Sequence, residues 1–199
     1  MSSPAPPSSL PLRIDRATGL LSGARQVLSP HYDPRPPGVS PELLIVHGIS
    51  LPPGQFGGPW IDRLFTGQLP ADGHPYFKEI EGLRVSAHAL IRRDGEIVQY
   101  VPFGERAWHA GKSEYRGRGV CNDFSIGVEL EGAEGIPYTD AQYNQLAVLT
   151  LALFDAYPTL TPEHLVGHSD VAPGRKDDPW VAFDWPRNGV ASLPVCLRA

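Results

Sequence analysis

Residues 43–48 have the sequence Leu43-Leu44-Ile45-Val46-His47-Gly48, a continuously apolar run that ends at a histidine and a glycine. A short apolar run bounded by turn residues is typical of a central strand that is buried on both faces. Ligands of open α/β sheets bind beyond the carboxyl ends of such strands, so His47 is a candidate site residue. A core histidine satisfied by one hydrogen bond is an equally good interpretation of His47 taken alone.

A polar stretch later in the chain carries a histidine, a lysine, an arginine and three aspartates within thirteen residues. Its sequence is Gly167-His168-Ser169-Asp170-Val171-Ala172-Pro173-Gly174-Arg175-Lys176-Asp177-Asp178-Pro179. The prolines and glycines predict an irregular loop instead of a helix. A rigid loop that presents histidine and carboxylate side chains is a suitable source of metal ligands. A solvated polar loop explains the stretch equally well when it is considered alone.

Further strands are predicted between these two stretches. Residues 85–91 are a strand candidate. Arg93-Asp94-Gly95-Glu96 is a strong two-residue hairpin signal that leads into a strand over residues 97–101.

The segment 124–131 alternates between apolar and other side chains, which predicts a strand with two different faces. The less apolar face carries Ser125, Gly127, Glu129 and Glu131. Two carboxylates beside a glycine indicate either a functional face or a solvated one, and a solvated face is the commoner explanation.

Two helices are also predicted. Residues 59–65 form a short helix with proline at its first position and Gly67 past its end. Thr139-Asp140-Ala141-Gln142 is typical of a capping box and opens the longest helix, which Pro158 ends. The apolar stripe of this helix is expected to pack on the sheet.

Length and composition limit the class of protein. The chain has 199 residues, enough for one well-buried core but too few for two ordinary domains and a linker. The formal net charge of −5, without a local Lys/Arg cluster, argues against a nucleic-acid binder. With only Cys121 and Cys196, the chain has neither a disulfide framework nor a CxxC zinc ribbon.

The N-terminal part of the sequence contains no export signal. Residues 1–30 lack a charged region followed by an apolar one, and no apolar run approaches membrane-spanning length. We therefore expect no membrane association and a cytoplasmic location. Residues 1–12 are rich in serine and proline, and we expect an N-terminal extension over residues 1–25 that is disordered or weakly ordered.

Ala107-Trp108-His109-Ala110-Gly111 is an aromatic and histidine segment. It either lines a pocket or holds an ordinary tryptophan anchor, and the two interpretations are evenly matched. HExxH, GxSxG and phosphate-binding glycine motifs are absent from the sequence, which excludes the usual zincin, α/β-hydrolase and P-loop readings.

Taken together, several short motifs in one order resemble the zinc-dependent N-acetylmuramoyl-L-alanine amidases related to peptidoglycan recognition proteins. Within that superfamily, the sequence is most similar to the cytoplasmic branch that recycles 1,6-anhydro muropeptides. The motifs are Val46-His47-Gly48-Ile49-Ser50-Leu51-Pro52-Pro53-Gly54, Phe56-Gly57-Gly58-Pro59-Trp60-Ile61-Asp62, Leu83-Arg84-Val85-Ser86-Ala87-His88, Arg92-Arg93-Asp94-Gly95, the segment 107–111, Cys121-Asn122-Asp123-Phe124-Ser125-Ile126-Gly127-Val128-Glu129-Leu130-Glu131-Gly132 and the stretch 167–179. They lie within residues 26–185.

The resemblance implies an α/β fold, with a mixed central β-sheet flanked by α-helices in a single domain over residues 26–199. It also implies one Zn²⁺ ion per chain, held by His47, His168 and Asp178. Two neutral imidazoles and one carboxylate leave a fourth tetrahedral position open, as catalytic zinc requires.

The same resemblance assigns the catalytic roles to Glu129 and Lys176. Glu129 would take the proton from the attacking water and pass it to the leaving L-alanine amine. Lys176 would stabilise the oxyanion that develops on the lactyl carbonyl. Glu131 is then expected to be structural or to support the site residues without touching the substrate.

The resemblance also implies substrate contacts at Arg84, Trp108 and Arg175. A sugar face against Trp108 and a peptide carboxylate paired with an arginine would suit a muropeptide. Trp108 as a simple packing residue stays an alternative.

The sequence also departs from the resembled family at three places. Gly48 stands where relatives commonly have asparagine, and Trp180 replaces glycine in the usual Asp-Pro-Gly-Pro. Val120 precedes Cys121 where relatives carry an arginine for the peptide stem, with Arg118 as a candidate replacement. These differences leave the exact substrate preference open but preserve the proposed zinc ligands.

Two other functions are considered beside the recycling amidase. A peptidoglycan-binding module without catalysis would be expected to lack a zinc ligand, whereas this chain keeps all three. An amidase that acts on intact cell wall would be expected to carry an export signal. We therefore expect an enzyme, monomeric, whose partner is a small-molecule muropeptide and neither nucleic acid nor a membrane.

Overall fold

A six-stranded sheet lies at the centre of the protein, whose computed structural model describes residues 12–188. The strands are β1 (Ile14–Asp15), β2 (Leu20–Leu21), β3 (Arg25–Gln26), β4 (Tyr32–Asp33), β5 (Leu43–Ile49), β6 (Ala89–Ile91), β7 (Ile97–Gln99), β8 (Arg106–Ala107), β9 (Glu114–Tyr115), β10 (Arg118–Gly119), β11 (Ser125–Glu131) and β12 (Leu165–Gly167). The helices are α1 (Trp60–Phe65), α2 (Pro75–Glu79), α3 (Asp140–Ala156) and α4 (His168–Val171), with 3-10 helices over Cys121–Asp123, Pro162–His164 and Pro186–Asn188.

The central sheet is mixed and has the strand order β12-β5-β11-β6-β7-β3. β12, β5, β11 and β6 run parallel, β7 is antiparallel to β6, and β3 is parallel to β7. Parallel neighbours need crossover connections, and the crossovers of this chain carry the helices that flank the sheet. The predicted α/β fold with a mixed sheet and flanking helices is confirmed.

Different helices cover the two faces of the sheet. Val46 of β5 and Val128 of β11 pack in one apolar cluster with Leu146 and Leu149 of α3. Leu90 of β6 faces the other way and packs in a second cluster with side chains of α1 and α2. The sheet therefore separates α3 from the two short helices.

β5 confirms the strand predicted from the opening apolar run and is longer than expected. It continues through Gly48 and Ile49, and its first five residues are buried. β11 is buried along its whole length, so the interpretation of a solvated face with Glu129 and Glu131 is wrong. Both carboxylates are enclosed because other segments cover this face of β11: the N–H groups of Gly57 and Arg93 reach Glu131, and the walls of a cavity surround Glu129.

The predicted hairpin joins β6 and β7. Gly95 adopts a φ of 90°, and its N–H donates to the carbonyl oxygen of Arg92 at 2.9 Å. The strand predicted over residues 85–91 begins only at Ala89. Ser86 instead donates its N–H to the Trp108 carbonyl oxygen, which ties this segment to the 107–111 segment outside the sheet.

The longest helix, α3, begins and ends as predicted. The Thr139 hydroxyl accepts the Gln142 N–H at 3.2 Å, and the Gln142 side chain accepts the Thr139 N–H at 3.1 Å, which completes the capping box. α1 begins at Trp60, so Pro59 is its N-cap and not its first residue.

The prediction of an irregular loop over residues 167–179 is wrong at its start. Residues 168–171 form α4, and the Asp170 carboxylate accepts the Gly167 N–H at 2.7 Å. This local hydrogen bond stabilises a single helical turn before Pro173, and the remainder of the stretch is irregular.

The structure also differs from the expectation for residues 12–25. β1 and β2 pair with each other, and Arg25 is already part of the central sheet. The buried side chain of Gln99 holds the hairpin, because it donates to the Gly19 carbonyl oxygen and accepts the Leu21 N–H. Residues 1–11 and Cys196 lie outside the described residues. Within residues 12–188, no helix is long and apolar enough to cross a membrane.

Candidate metal centre and active site

The pairing of two parallel strands places the first two site residues side by side. His47 of β5 lies opposite Glu129 of β11 in the register of the pair. Side chains alternate along a strand, and the preceding Val46 and Val128 point toward α3, so His47 and Glu129 share the other face. The sheet itself thus brings a histidine next to a carboxylate.

His168 and Asp178 form a buried cluster with His47. His168 is the first residue of α4 and follows β12 directly, and β12 pairs with β5. The two Nδ1 atoms of His47 and His168 are 3.0 Å apart. Asp178 Oδ2 lies 3.1 Å from His168 Nδ1 and 3.3 Å from His47 Nδ1. The fold therefore brings the three predicted ligand residues to one point.

Hydrogen bonds hold the outer ring nitrogens of both histidines. His168 Nε2 lies 3.3 Å from the Ala110 carbonyl oxygen, which can only accept, so that nitrogen carries the proton. His47 Nε2 lies 2.9 Å from His109 Nδ1, and His109 Nε2 lies 3.2 Å from the Ser125 hydroxyl. With protons on their Nε2 atoms, His47 donates to His109 Nδ1 and His109 donates to the Ser125 hydroxyl. Both ligand Nδ1 atoms then keep a free lone pair.

The electrostatics of the cluster suit a metal ion. Burial lowers the pKa of His47 to about 4, so this imidazole is neutral at pH 7. Burial acts to raise the pKa of Asp178, but the neighbouring His168 and His47 outweigh this effect and hold that pKa below its usual range. Two neutral imidazoles and one carboxylate are a donor set that fits Zn²⁺.

Glu129 is a buried carboxylate with an unsatisfied oxygen beside this cluster. Its Oε2 has no hydrogen-bond partner among the described residues. Burial raises the pKa of Glu129 well above its usual value, the Asp178 carboxylate raises it further, and Lys176 acts in the opposite direction. An unpaired buried carboxylate destabilises a fold, and its presence in a cleft is typical of a group that exchanges protons with a ligand.

These side chains open into a cavity of about 360 Å³. Its charged and histidine lining consists of His47, His109, Glu129, His168, Lys176 and Asp178. The apolar walls include Phe65 of α1, Tyr76 of α2 and the two tryptophans Trp108 and Trp180. A cavity of this size with a few convergent polar groups is typical of a small-molecule site.

Trp108 lines the cavity and is also held by its neighbours. Its indole N–H donates to Asp33 Oδ1 at 3.1 Å. The ring stacks on His31 at a centroid distance of 6.0 Å, and the Arg84 guanidinium carbon lies 5.7 Å from its centroid. Trp108 is therefore both a packing residue and part of the cavity wall.

The structure does not place the two predicted arginines in the main cavity. Arg84 lines an adjoining cavity of about 260 Å³ that shares part of its lining with the first. The Arg175 guanidinium donates to the carbonyl oxygens of Ala110 at 2.6 Å and Lys112 at 2.7 Å. These bonds tie the loop that carries Lys176 to the 107–111 segment.

Glu131 and Arg118, two other charged residues considered in the sequence analysis, do not line the cavity. Glu131 is buried and accepts the N–H groups of Gly57 at 2.6 Å and Arg93 at 3.2 Å, so its role is structural, as expected. Arg118 pairs with Glu42 at 2.9 Å and lines neither cavity.

Sequence reasoning placed His109 only in a possible pocket-lining segment and noted Trp180 only as a departure from the family, and it assigned neither residue a role. A signal for His109 exists in Gly127, because a Cβ atom at that position would overlap the His109 ring. Glycine inside a strand often marks such a close approach, but the approaching group is a matter of tertiary structure.

Comparisons with known proteins identify the family of the chain. The family model described as N-acetylmuramoyl-L-alanine amidase matches residues 37–180. The 1,6-anhydro-N-acetylmuramyl-L-alanine amidase AmpD of Escherichia coli K12 is 65% identical over 169 residues, which cover 85% of this chain and 92% of the relative.

Solved structures give the same result. A selenomethionine derivative of AmpD superposes with a TM-score of 0.85 and 61% identity, and the match covers 88% of this chain and 96% of the other. The amidase AmiD of E. coli, in complex with anhydro-N-acetylmuramic acid-L-Ala-D-γ-Glu-L-Lys, superposes with a TM-score of 0.56 and 29% identity over 80% of this chain and 61% of the other. The chain belongs to the N-acetylmuramoyl-L-alanine amidase family.

Proposed function

We propose that this N-acetylmuramoyl-L-alanine amidase hydrolyses the amide bond between 1,6-anhydro-N-acetylmuramic acid and L-alanine in muropeptides released during peptidoglycan recycling. The observation that carries the proposal is the position of Glu129, a buried and unpartnered carboxylate beside the cluster of His47, His168 and Asp178. The name of the E. coli relative, with 65% identity, supports the anhydro sugar as the substrate.

We assign His47, His168 and Asp178 as the ligands of one Zn²⁺ ion. Their donor atoms lie within 4.8 Å of one another, and all three residues are buried. When bound, Zn²⁺ supplies a Lewis acid that polarises the lactyl carbonyl and makes a water molecule more acidic.

Glu129 acts as the general base and then as the general acid. Its carboxylate takes a proton from the water that attacks the lactyl carbonyl carbon. It then gives this proton to the departing L-alanine nitrogen as the C–N bond breaks. Burial in the cavity raises the pKa of Glu129, so its protonated form is stable enough to serve as the acid.

Lys176 stabilises the negative charge that develops on the carbonyl oxygen. It lines the same cavity as Glu129 and is held on the loop that Arg175 ties to Ala110 and Lys112. One well-placed donor of this kind contributes on the order of 3 kcal/mol to the transition state. We assign Arg175 to supporting this loop.

The two adjoining cavities suggest where the substrate lies. Trp108 lines the main cavity near the metal ligands, whereas Arg84 lines the second. A peptide stem that leaves the main cavity for the second would bring a carboxylate within reach of the Arg84 guanidinium. We further propose that the protein acts in the cytoplasm as a monomer.

Mass spectrometry of the purified protein with anhydro-N-acetylmuramic acid-L-Ala-D-γ-Glu-L-Lys tests the function. We expect free tripeptide and anhydro sugar, loss of both products with a chelator, and their return with Zn²⁺. Intact substrate after addition of Zn²⁺ would contradict the proposal. Parallel incubation with insoluble sacculi separates it from a wall hydrolase, and binding of sacculi without any cleavage would indicate a recognition module.

A further inference from the structure

Gly48 leaves a space that the indole of Trp180 fills. A Cβ atom at position 48 would lie less than 3.0 Å from two carbon atoms of the Trp180 ring and 2.5 Å from the Tyr138 hydroxyl. Real Cβ atoms essentially never come so close to other heavy atoms. A glycine at position 48 is therefore a condition for the observed position of the indole.

Trp180 holds this position with a strained backbone. Its φ is 63°, in the left-handed region that bulky residues rarely adopt. Its N–H donates to the Asp177 carbonyl oxygen at 2.9 Å, and the Tyr138 hydroxyl donates to the Pro179 carbonyl oxygen at 3.1 Å. Strain of this kind persists only where surrounding structure enforces it, and it clusters at functional sites.

The indole lies beside the metal ligands and lines their cavity. Trp180 follows Asp178 by two residues, and Gly48, against which its ring packs, follows His47 directly. Within residues 12–188, no aromatic ring or guanidinium group stacks on it. Trp108, by contrast, already has His31 and Arg84 against its ring. Trp180 packs in part against the apolar cluster on the α3 side of the sheet, and the rest of its aromatic surface faces the cavity.

We propose that Trp180 is a substrate-binding residue whose indole packs on the apolar face of the muramoyl sugar, and that Gly48 is required to admit the indole. This proposal rests on the proposed function. A pyranose presents C–H groups that suit the electron-rich face of an aromatic ring. The peptide stem carries carboxylates, which an arginine guanidinium pairs with two parallel donors, whereas an indole offers a single N–H.

Binding of the two reaction products separately tests the assignment. Zinc-loaded wild-type protein, Trp180→Phe and Trp180→Leu are titrated calorimetrically with 1,6-anhydro-N-acetylmuramic acid and with the free tripeptide L-Ala-D-γ-Glu-L-Lys. Phenylalanine keeps a flat ring, whereas leucine is apolar without one, and both are subject to the same backbone strain. We expect the sugar Kd to rise about fivefold to tenfold in Trp180→Leu and about twofold or less in Trp180→Phe, with the tripeptide Kd unchanged in both.

Three results would overturn the proposal. They are equal sugar affinity in Trp180→Phe and Trp180→Leu, a loss of tripeptide affinity as large as the loss of sugar affinity, and the absence of sugar binding by the wild type. Trp180→Gly serves as a second variant that adopts the left-handed φ without strain, should leucine prevent folding. Gly48→Ala should weaken sugar binding as much as Trp180→Leu while zinc content stays at one ion, and unaltered sugar binding would refute the requirement for glycine. Because products are titrated, the result is independent of turnover, so a failure to hydrolyse the intact substrate would count against the proposed function alone.

Discussion

The ring of His109 stands between His47 and Ser125, with its Nδ1 2.9 Å from His47 Nε2 and its Nε2 3.2 Å from the Ser125 hydroxyl. With its proton on Nε2, His47 donates to His109, and this contact orients the ring so that Nδ1 faces His168. Partners of this kind, which do not touch the metal, tune both the orientation and the basicity of a ligand histidine.

Replacement of His109 by alanine is expected to weaken zinc binding about 10-fold to 100-fold, because His47 loses the acceptor that orients it. The measurement is competition with a chromophoric zinc chelator. His164→Ala is the matched control, since His164 lies beside Tyr115 and Arg116 and lines neither cavity. Equal zinc affinity in the two variants would show that His109 does not position His47.

Replacement of Glu129 by glutamine is expected to lower kcat by at least about 100-fold while zinc affinity is unchanged. The same change should stabilise the metal-free protein by about 1–3 kcal/mol, because it removes a buried carboxylate with an unpartnered oxygen. Single-turnover kinetics and urea denaturation give the two values.

Glu134→Gln is the control for the kinetic and the stability measurement, since Glu134 is an exposed carboxylate that is close to Glu129 in the sequence. Retained turnover in the Glu129 variant would remove this residue from the mechanism.

Replacement of Lys176 by alanine is expected to lower kcat by roughly 100-fold to 1000-fold, because the oxyanion loses its charged donor. The neighbouring Arg175→Ala should act mainly on stability, because Arg175 donates to the backbone of Ala110 and Lys112. Steady-state kinetics and thermal denaturation of both variants separate these roles. A larger loss of kcat in Arg175→Ala would reverse the assignment.

The buried His88, which is not one of the proposed metal ligands, makes the stability of the fold sensitive to acid. Its Nδ1 accepts the Gly127 N–H at 3.0 Å, so the proton is on Nε2, which lies 3.0 Å from the Glu105 carbonyl oxygen. Burial, and then the nearby Arg35 guanidinium, lower the pKa of His88 to about 3.

Acid should therefore destabilise the protein through His88. In the unfolded chain its pKa is near 6.5, so the unfolded state binds the proton first as the pH falls. The contribution of His88 to the free energy of unfolding is fully present above about pH 6.5. It decreases by about 1.4 kcal/mol per pH unit as the pH falls towards 3. The measurement is urea denaturation at several pH values in this range. The free energy of unfolding should change less steeply with pH in His88→Asn, which keeps an acceptor for the Gly127 N–H. An equally steep change in the variant and the wild type would show that His88 is not the cause.

Local sequence patterns predicted much of the fold. The capping box of α3, the apolar run of β5 and the hairpin around Gly95 depend on neighbouring residues, and all three were confirmed. The solvated face predicted for β11 was wrong because alternation in one strand carries no information about its neighbours. The segments that cover this face of β11, and hence the burial of Glu129, are a property of the tertiary structure.

The predictions for the site were limited in the same way. His47 lies far in the chain from His168 and Asp178, and the residue types alone indicated a metal site only weakly; the resemblance to a family linked the three residues. The structure brings them together through the pairing of β12 with β5. The roles of His109 and Trp180 depend on contacts across the fold with Gly127 and Gly48, which no local pattern specifies.

The pairing of His47 with Glu129 across β5 and β11 also limits how this sequence can evolve. One residue inserted into β11 ahead of Glu129 would turn that carboxylate toward α3, because successive side chains of a strand alternate between its faces. Insertions and deletions in such a lineage are therefore confined to the connections, whereas the lengths of these two strands are inherited unchanged. The chemistry is encoded as much in the spacing of these residues as in their identity.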